Sequence, residues 1–491
     1  MGRRGLRFLL AATACLAAVP AAAQDIDSSD EVDTLKEALS HAYVYNPTML
    51  AARANLRATD ENVPIERADQ LPSLNATGGL NEFPYESTDI GGAARQATGQ
   101  ITLGVPVYAG GGIRNGIKAA ETRVMAGRAD LRGTESQVFS QVVAAYMDVI
   151  QQEALVGLAT ANVDVLVTNL EATSDRFEIG DLTRTDVAQS ESRLALARGE
   201  LRSAQANLVR AKENYIALVG DAPDNLQPPP PLPGLPDAPD DAVDVALDNN
   251  PDLIAAYERA RAAGFDVKVA GSNRLPRVDA SVNGNYTNYL GSLPGGNLAP
   301  NDNSSATVGL RATVPIFQGG RNSALRRQAQ ARQSVAMENI VATERDTIAQ
   351  VRAAYSSWRA ANEIIESSST AVSAAELSLE GVRAENSVGN RTILDILDAQ
   401  QELLRAQVQL VSARRNAYVA GFTLLAAMGR AEARDLGLEE LGTLYDPALN
   451  YDRVRGEIWD WQTDPEPVTQ STRTVDIPAQ DAEIPDTQSG S

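Results

Sequence analysis

The chain has 491 residues, of which 43% are hydrophobic and only 5% aromatic, and its formal net charge at pH 7 is −21. This length allows two or three ordinary domains, and the acidic balance argues against nucleic-acid binding, because negative charges repel phosphates. The single histidine, the single cysteine and the lack of a phosphate-loop or nucleophile motif in the sequence argue against an enzyme, a metal site or a cofactor site.

Residues 1–23 are predicted to be a secretory signal peptide. Arginines precede an apolar run at 8–19, and three alanines then form a small-residue cleavage site. Cys15 falls inside the apolar run, so the mature chain would contain no cysteine. A lipoprotein signal ending at Cys15 is the alternative, for which Ala12 is a poor residue. No later stretch approaches about 20 consecutive apolar residues, so any membrane role is expected to use strands.

The remainder of the chain is one structural unit repeated twice. The segment VPVYAGG at 105–111 recurs as VPIFQGG at 314–320, which is 209 residues later, whereas Asn46-Pro47 recurs 204 residues later. The two offsets indicate a five-residue insertion between 276 and 314, where a loop tip tolerates a change of length. The repeats are predicted at 24–220 and 241–430.

Each repeat contains two segments in which apolar and polar residues alternate, as in a strand with one apolar and one polar face. A half-buried sheet in a soluble sandwich would show the same pattern. Four strands cannot close a barrel, however, and lipid tolerates no unpaired strand edge, so in a membrane several chains would have to share one barrel. The strands are predicted at 73–86, 97–108, 277–290 and 305–316.

The helical segments are too long for a single globular core. Apolar residues recur at the four-three spacing that is typical of a coiled-coil seam. One helix of each repeat would be about 100 Å long, with a leading helix (about 34–70 in the first repeat) and a returning helix beside it. The fold class is therefore mainly α with a small β part. The long helices are predicted at 112–178 and 321–387, and the returning helices at 183–219 and 392–428.

Three segments fall outside this repeating pattern. Residues 221–240 include eight prolines and are predicted to be an extended linker. Residues 431–455 follow the second repeat as a short separate segment. Residues 456–491 are acidic and polar without an apolar period, which predicts a disordered tail. Trp459 and Trp461 are its conspicuous residues, and local docking is the alternative for them.

With the duplication, the paired Val-Pro-x-aromatic-x-Gly-Gly strand ends and the glycine turns at Gly180 and Gly389, the chain resembles the TolC family of outer membrane efflux ducts over roughly 34–430. The resemblance implies a homotrimer whose chains share a 12-stranded transmembrane β-barrel, continued by a 12-helix periplasmic barrel. An equatorial girdle would come from the mature N-terminus, 221–240 and 430–455. It also implies outer-membrane lipid, a periplasmic adaptor and an inner-membrane pump as partners, and export without chemistry.

The resemblance also implies a gate at the periplasmic tip of the helices. The lock arginine of the family falls on Arg391 and its two constriction aspartates on Asp395 and Asp398. The expected lock partners in the first repeat are Thr185 and Asp186, and Gly180 and Gly389 mark the tip turns for adaptor docking. One residue departs from the family pattern, since Asn386 stands where a tyrosine usually begins the motif.

A role for the two aspartates can also be argued without reference to any family. Asp395 and Asp398 are three residues apart, so they share one helix face. Threefold symmetry would stack them as two acidic rings that favour cations and that raise the pKa of the crowded carboxyl groups. The alternative is that they are solvated or capping carboxylates near a helix start.

Two other function classes compete with a channel. An enzyme has little support, because His41 on the leading helix is most simply a satisfied or exposed side chain. A soluble periplasmic coiled-coil scaffold or adaptor would explain the heptads but not four alternating strands at matching places in both repeats. The sequence leaves the cargo open between drugs, proteins and metals, in that order.

Overall fold

The structure, a computed structural model, describes residues 34–84, 93, 95–292 and 300–483. The predicted signal peptide and Cys15 lie outside the described residues, as do parts of the segments that join the two predicted strands of each repeat. The helices are α1 Leu35–Tyr45, α2 Pro47–Asp60, α3 Asn62–Ala68, α4 Gly112–Glu178, α5 Arg184–Val219, α6 Pro239–Asn249, α7 Pro251–Ser272, α8 Arg321–Ser387, α9 Ile393–Ala427 and α10 Leu449–Val454. The strands are β1 Ser73–Glu82, β2 Arg95–Ala109, β3 Arg277–Asn288 and β4 Asp302–Thr313.

The leading segment of each repeat is broken at its Asn-Pro dipeptide instead of forming one helix. Asn46 ends α1 and caps α2, because its side-chain oxygen accepts from the backbone N–H of Thr48 at 2.8 Å. Asn250 does the same between α6 and α7, accepting from Asp252 N–H at 3.0 Å. The residue before a proline avoids helical backbone angles, and proline suits the first helical position, so the dipeptide ends one helix and starts the next.

The four strands form one antiparallel sheet in the order β1-β2-β3-β4. The two repeats meet in its centre, where Leu103 of β2 lies opposite Val282 of β3. The register shifts between Pro106 and Tyr108, as expected of a proline that cannot donate to the ladder. β4 ends before Pro315, three residues short of the predicted end.

The sheet has one apolar and one polar face. Directly paired residues project to the same side of an antiparallel sheet, so whole rows can be compared across all four strands. One row consists of Leu74, Leu103, Val282 and Val308, and the next consists of Asn75, Thr102, Asn283 and Thr307. The apolar row is open at both edges, since Leu74 is 70% and Val308 78% exposed.

The long helices α4 and α8 have 67 residues each, which corresponds to about 100 Å. Each begins after a glycine in the left-handed region, Gly111 or Gly320, which is the conformation that favours glycine over other residues. By length and composition α4 passes the test for a membrane-crossing helix. Its middle nevertheless packs against protein, because Phe139, Val142 and Tyr146 are fully buried.

The proline-rich linker lies against the middle of both long helices. Tyr146 of α4 donates to the carbonyl of Gln227 at 2.6 Å, and Tyr355 of α8, its equivalent 209 residues later, donates to Asp237 at 2.6 Å. The middle of α4 and α8, α1, the linker and 431–445 are called the equatorial region below. It contains the largest hydrophobic core of the described residues.

The segment after residue 455 is irregular but makes contacts along α5. The backbone N–H of Gln480 donates to Glu213 at 3.1 Å, and the ammonium of Lys212 donates to the carbonyl of Glu483 at 3.1 Å. The sequence predicts disorder from residue 456 onwards, whereas the structure describes 456–483 as a segment that contacts the protein. Composition does not reveal these two contacts, because both use backbone atoms of the tail.

Candidate functional site

The two helical hairpins end in turns of the same construction. Gly180 and Gly389 have φ of +82° and +84°. In the first turn Asp181 N–H donates to Arg176 O at 2.9 Å, and in the second Asn390 N–H donates to Glu385 O at 3.0 Å. This pattern closes a helix end through a left-handed residue. Open space surrounds both glycines, so the backbone angle, rather than crowding, requires glycine there.

A capping box starts the returning helix after each turn. The carboxylate of Asp186 accepts from the Thr183 backbone N–H at 2.9 Å, and the carboxylate of Asp395 accepts from the Thr392 backbone N–H at 2.8 Å. Each threonine hydroxyl is also 2.7 Å from the same carboxylate. These hydrogen bonds, the hydroxyl first, lower the pKa of Asp186 and of Asp395. Both aspartates therefore act as capping carboxylates within one chain.

Arg391 forms its ion pairs inside the second hairpin. Its Nε lies 2.7 Å from Glu385, and its Nη1 lies 3.8 Å from Asp395. The Asn386 side chain donates to the backbone carbonyl of Arg391 at 2.7 Å. Among the described residues, no ion pair joins Arg391 to Asp186, and Thr185 is exposed on α5. One chain thus brings together Arg391, Asn386 and Asp395, but not the predicted partners from the first repeat.

The first hairpin has a similar closure with the charges exchanged. Arg176 lies 2.6 Å from Asp181, and the positions equivalent to these two residues, 209 further on, are Glu385 and Asn390. The ion pair at each tip therefore joins the end of the long helix to the turn. The first tip uses a helix arginine and a turn aspartate, whereas the second uses a helix glutamate and a turn arginine.

Asp398 links the two repeats. Its carboxylate lies 2.8 Å from Arg193 of α5. Next to this pair, Leu397 is buried with Leu166 of α4 and Leu194 of α5. Asp398 remains 66% exposed, so the ion pair with Arg193 leaves much of the carboxylate open to solvent.

The sequence predictions missed four residues of this site, which are Thr183, Thr392, Glu385 and Arg193. The capping threonines have a readable signal, since Thr-x-x-Asp at 183–186 and 392–395 is a capping-box pattern. Glu385 and Arg193 have none, because their partners depend on the turn geometry and on the packing of α5 beside α9. The predicted rise in the pKa of Asp395 requires carboxylates from other chains, and within one chain the direction is downward.

A second group of charged side chains is buried in and beside the equatorial region. Glu135 of α4 accepts from the backbone N–H of Ala433 at 2.5 Å, and burial raises the pKa of its carboxyl group to about 7. The guanidinium of Arg53 lies over the ring of Tyr43 at 4.3 Å and donates to the Tyr43 carbonyl at 2.8 Å. His41 Nδ1 is 2.8 Å from the carbonyl of Val219, as expected of a satisfied histidine.

No group of three or more potential metal ligands occurs among the residues that the structure describes. The arrangement at the tips is therefore one of hydrogen bonds and ion pairs that hold two turns, with acidic side chains on one end of a helical pair. Such a site can bind or repel charge, and among the described residues it contains no arrangement typical of a nucleophile and its base.

Comparison with known proteins adds a family to this geometry. The family model described as outer membrane efflux protein matches residues 38–221 and 242–430. The outer membrane efflux protein BepC of Brucella suis is 33% identical over 86% of this chain and 91% of its own length. Outer membrane protein TolC of Escherichia coli is 26% identical over 83% of this chain and 85% of its own length. The crystal structure of VceC from Vibrio cholerae has a TM-score of 0.70 at 22% identity and covers 80% of this chain and 96% of that one, which shows a common fold.

Proposed function

Because this chain belongs to the outer membrane efflux protein family, we propose that three copies of it build one passive channel from the periplasm to the exterior. It is an outer membrane channel of the efflux and secretion type, with its helical part in the periplasm. The soluble scaffold or adaptor that the sequence left open is therefore ruled out. The proposal concerns how chains assemble and how the channel is gated.

The two-faced sheet carries the proposal of a shared barrel. Its order leaves β1 and β4 as edge strands within one chain, and a hydrocarbon environment does not tolerate unpaired backbone groups. Pairing β4 of one chain with β1 of the next satisfies both edges, and three chains supply 12 strands of this four-stranded sheet. The row that contains Val308 would face lipid and the row that contains Thr307 would face the lumen.

A lysine on either face tests this arrangement. V308K places a charge near the middle of β4 on the apolar face, where it costs about 2–4 kcal/mol in a membrane barrel. T307K is the matched control, one residue away on the polar face. We expect V308K to abolish the detergent-extractable trimer, measured by native mass spectrometry of outer membranes, and T307K to retain it. A monomeric wild-type species, or equal behaviour of the two variants, would contradict the barrel.

For the gate, we propose that the second hairpin narrows the periplasmic end. Under threefold symmetry Asp395 and Asp398 of three chains form two acidic rings, and Arg391 holds the tip closed through exposed ion pairs. The support is the closure around Arg391, with Glu385 at 2.7 Å and Asp395 at 3.8 Å. These pairs are exposed, so ionic strength and a modest force could open them.

Single-channel conductance in planar bilayers tests the gate. We expect R391S to raise conductance several-fold, whereas R176S, which removes the equivalent ion pair of the first tip, should change it much less. D398A should weaken block by multivalent cations without disturbing the cap. Unchanged conductance in R391S together with unchanged block in D398A would remove the support for the gate.

We further propose a periplasmic adaptor and an inner-membrane pump as partners, with the turns at Gly180 and Gly389 as the docking points. Both turns are exposed at the ends of long helical hairpins, where an adaptor could reach them. Crosslinking from cysteines introduced at Ile179 and Val388, which are 80% and 70% exposed, followed by identification of the captured protein, tests this. Capture of a protein other than an adaptor would contradict it. Such a complex would also identify the cargo class through its pump.

A further inference from the structure

The C-terminal segment contains a short exposed apolar loop. Ile458, Trp459 and Trp461 are 73%, 70% and 83% exposed, and the two tryptophans are two of only three in the chain. Large aromatic side chains are usually covered by protein or lipid. A cluster of this kind in an otherwise acidic and polar tail therefore calls for a partner.

Hydrogen bonds and an ion pair fix the shape of this loop. The two guanidinium nitrogens of Arg453 lie 2.8 and 2.9 Å from the two carboxylate oxygens of Asp464, which joins the two ends of the loop. Within it, the backbone N–H of Gln462 donates to the carbonyl of Trp459 at 3.1 Å, and its side chain donates to Glu457 at 2.7 Å. The polar groups are thus paired inside the loop, while the apolar side chains are left outside.

The base of the loop lies close to the periplasmic end of the sheet. Tyr451 of α10 packs against Val63, Ala120 and Val124, and the side chain of Arg67 donates to the carbonyl of Arg455 at 2.5 Å. Ala120 is eight residues from the start of α4, which follows the end of β2 directly. Eight helical residues span about 12 Å. The base of the loop that carries the tryptophans therefore lies within about two helical turns of the strands.

We propose that Ile458, Trp459 and Trp461 dock into the periplasmic leaflet of the outer membrane, at the boundary between phospholipid headgroups and acyl chains. The inference rests on the proposed placement of the sheet in that membrane, because the leaflet then ends at the level of the loop. Tryptophan favours this boundary, since its ring is apolar and its N–H can still reach water or a headgroup. At the base, the guanidinium of Arg455 lies 3.3 Å from Asp452, and its side chain is 53% exposed, so it can also reach a lipid phosphate.

The position of the loop favours lipid over a neighbouring protein chain as the partner. The loop extends from the side of α3 and α10, next to strands whose apolar face is itself open. A lipid surface would cover the apolar face of the sheet and the apolar side chains of the loop together. The loop would then fix the height of each chain in the membrane.

Tryptophan fluorescence of the full-length protein in phospholipid nanodiscs tests the proposal. In W358F, only Trp459 and Trp461 emit. We expect phosphatidylcholine brominated at carbons 6 and 7 of the acyl chain to reduce their emission at least twofold relative to unbrominated lipid. We also expect quenching by aqueous iodide to be weaker in nanodiscs than in detergent. Quenching by iodide but not by bromolipid, or a blue-shifted emission that neither quencher reaches, would overturn the proposal, the latter indicating a neighbouring chain.

Two reporter positions separate this inference from the proposed barrel. In W358F/W459F/W461F, I101W reports on the apolar face of the sheet and I179W on the hairpin tip. We expect bromolipid to quench I101W and not I179W. Quenching of I101W without Trp459 and Trp461 overturns the membrane-docking loop alone. Quenching of Trp459 and Trp461 without I101W supports the loop and overturns the barrel, and quenching of neither overturns both.

Discussion

At the hairpin tips the charged side chains lie in water, whereas in and beside the equatorial region several are buried between helices. Asp395 at the tip has a lowered pKa because hydrogen bonds from Thr392 favour its charged form. Glu135 near the equator has a pKa raised to about 7 because burial disfavours its charged form. The contribution of a carboxyl group to stability therefore depends on pH in opposite directions in the two regions.

The two regions also differ in how much each contact contributes to the free energy of unfolding. An exposed ion pair contributes about 0–1 kcal/mol and weakens with salt, so the pairs of Arg391 and Arg176 stabilise their turns only weakly. Removing one partner of a buried group leaves an uncompensated polar or charged atom and costs about 3–5 kcal/mol. The proposed gate, which has to open, suits the first kind of contact, and the frame of the proposed trimer suits the second.

Arg53 illustrates the second kind of contact. It joins the leading helices to the C-terminal segment, since its guanidinium lies 4.3 Å from the centre of the Tyr43 ring and 5.0 Å from that of Tyr445. Its charge also lowers the cost of the buried Glu135 carboxylate. Segments that are about 390 residues apart in sequence are therefore held by one side chain.

The largest effect is expected from R53A. It removes a buried cation between two aromatic rings and leaves Glu135 without that compensation, so we expect a loss of about 3 kcal/mol of trimer stability. Thermal melting in detergent, followed by circular dichroism, measures it. R57A, an exposed arginine one turn along the same helix, is the matched control and should melt like wild type. An R53A protein that melts with wild type would break the comparison between the two regions.

A smaller effect with a defined pH dependence is expected from E135Q. The folded pKa of Glu135 is above its unfolded value, so its contribution is fully present below the unfolded pKa near 4.5 and is lost as pH rises through about 7. Glutamine can still accept from Ala433 N–H without carrying charge. We therefore expect E135Q to stabilise the protein by on the order of 1–3 kcal/mol at pH 8 and by little at pH 4.5.

The control for this prediction is E121Q, which changes an exposed glutamate on the same helix and should leave the pH profile of melting unchanged. At the tip, the pH dependence of stability has the opposite sign. Because the folded pKa values of Asp186 and Asp395 are lowered, their contribution is present above the unfolded pKa and is lost as pH falls through the folded pKa. A pH profile of E135Q identical to that of wild type would contradict the assignment to Glu135.

The repeated helices and strands could be predicted from the sequence because their signals are local. Glycine and Val-Pro mark the ends of strands, and Gly180 and Gly389 mark the ends of long helices. The break at Asn46-Pro47 is also a local signal, yet the leading segment was predicted as one helix over about 34–70. Contacts such as Arg193 with Asp398 depend on which helices become neighbours, and no spacing within one helix specifies that.

The smallest effects are expected at the two capping boxes, where the two hairpin tips can be compared directly. T183A and T392A each remove a side chain that caps a returning helix, which costs about 1 kcal/mol. We expect each to speed hydrogen exchange of the first-turn amides of its own helix about fivefold, measured by mass spectrometry of peptides from the tips. T185A is the matched control, because Thr185 is exposed in the first turn of α5 and is not its capping residue.

Equal effects of T183A and T392A would mean that the duplicated backbone sets the stability of both tips. The charged residues that differ between the two tips would then not affect that stability. A much smaller effect of T392A would mean that the ion pairs of the second tip compensate for the cap. Arg391 next to Asp395 and Arg193 next to Asp398 would then stabilise the start of α9 as well as close the tip. In that case raising the salt concentration should restore the full effect of T392A, because screening weakens exposed ion pairs but leaves a neutral hydroxyl cap unchanged.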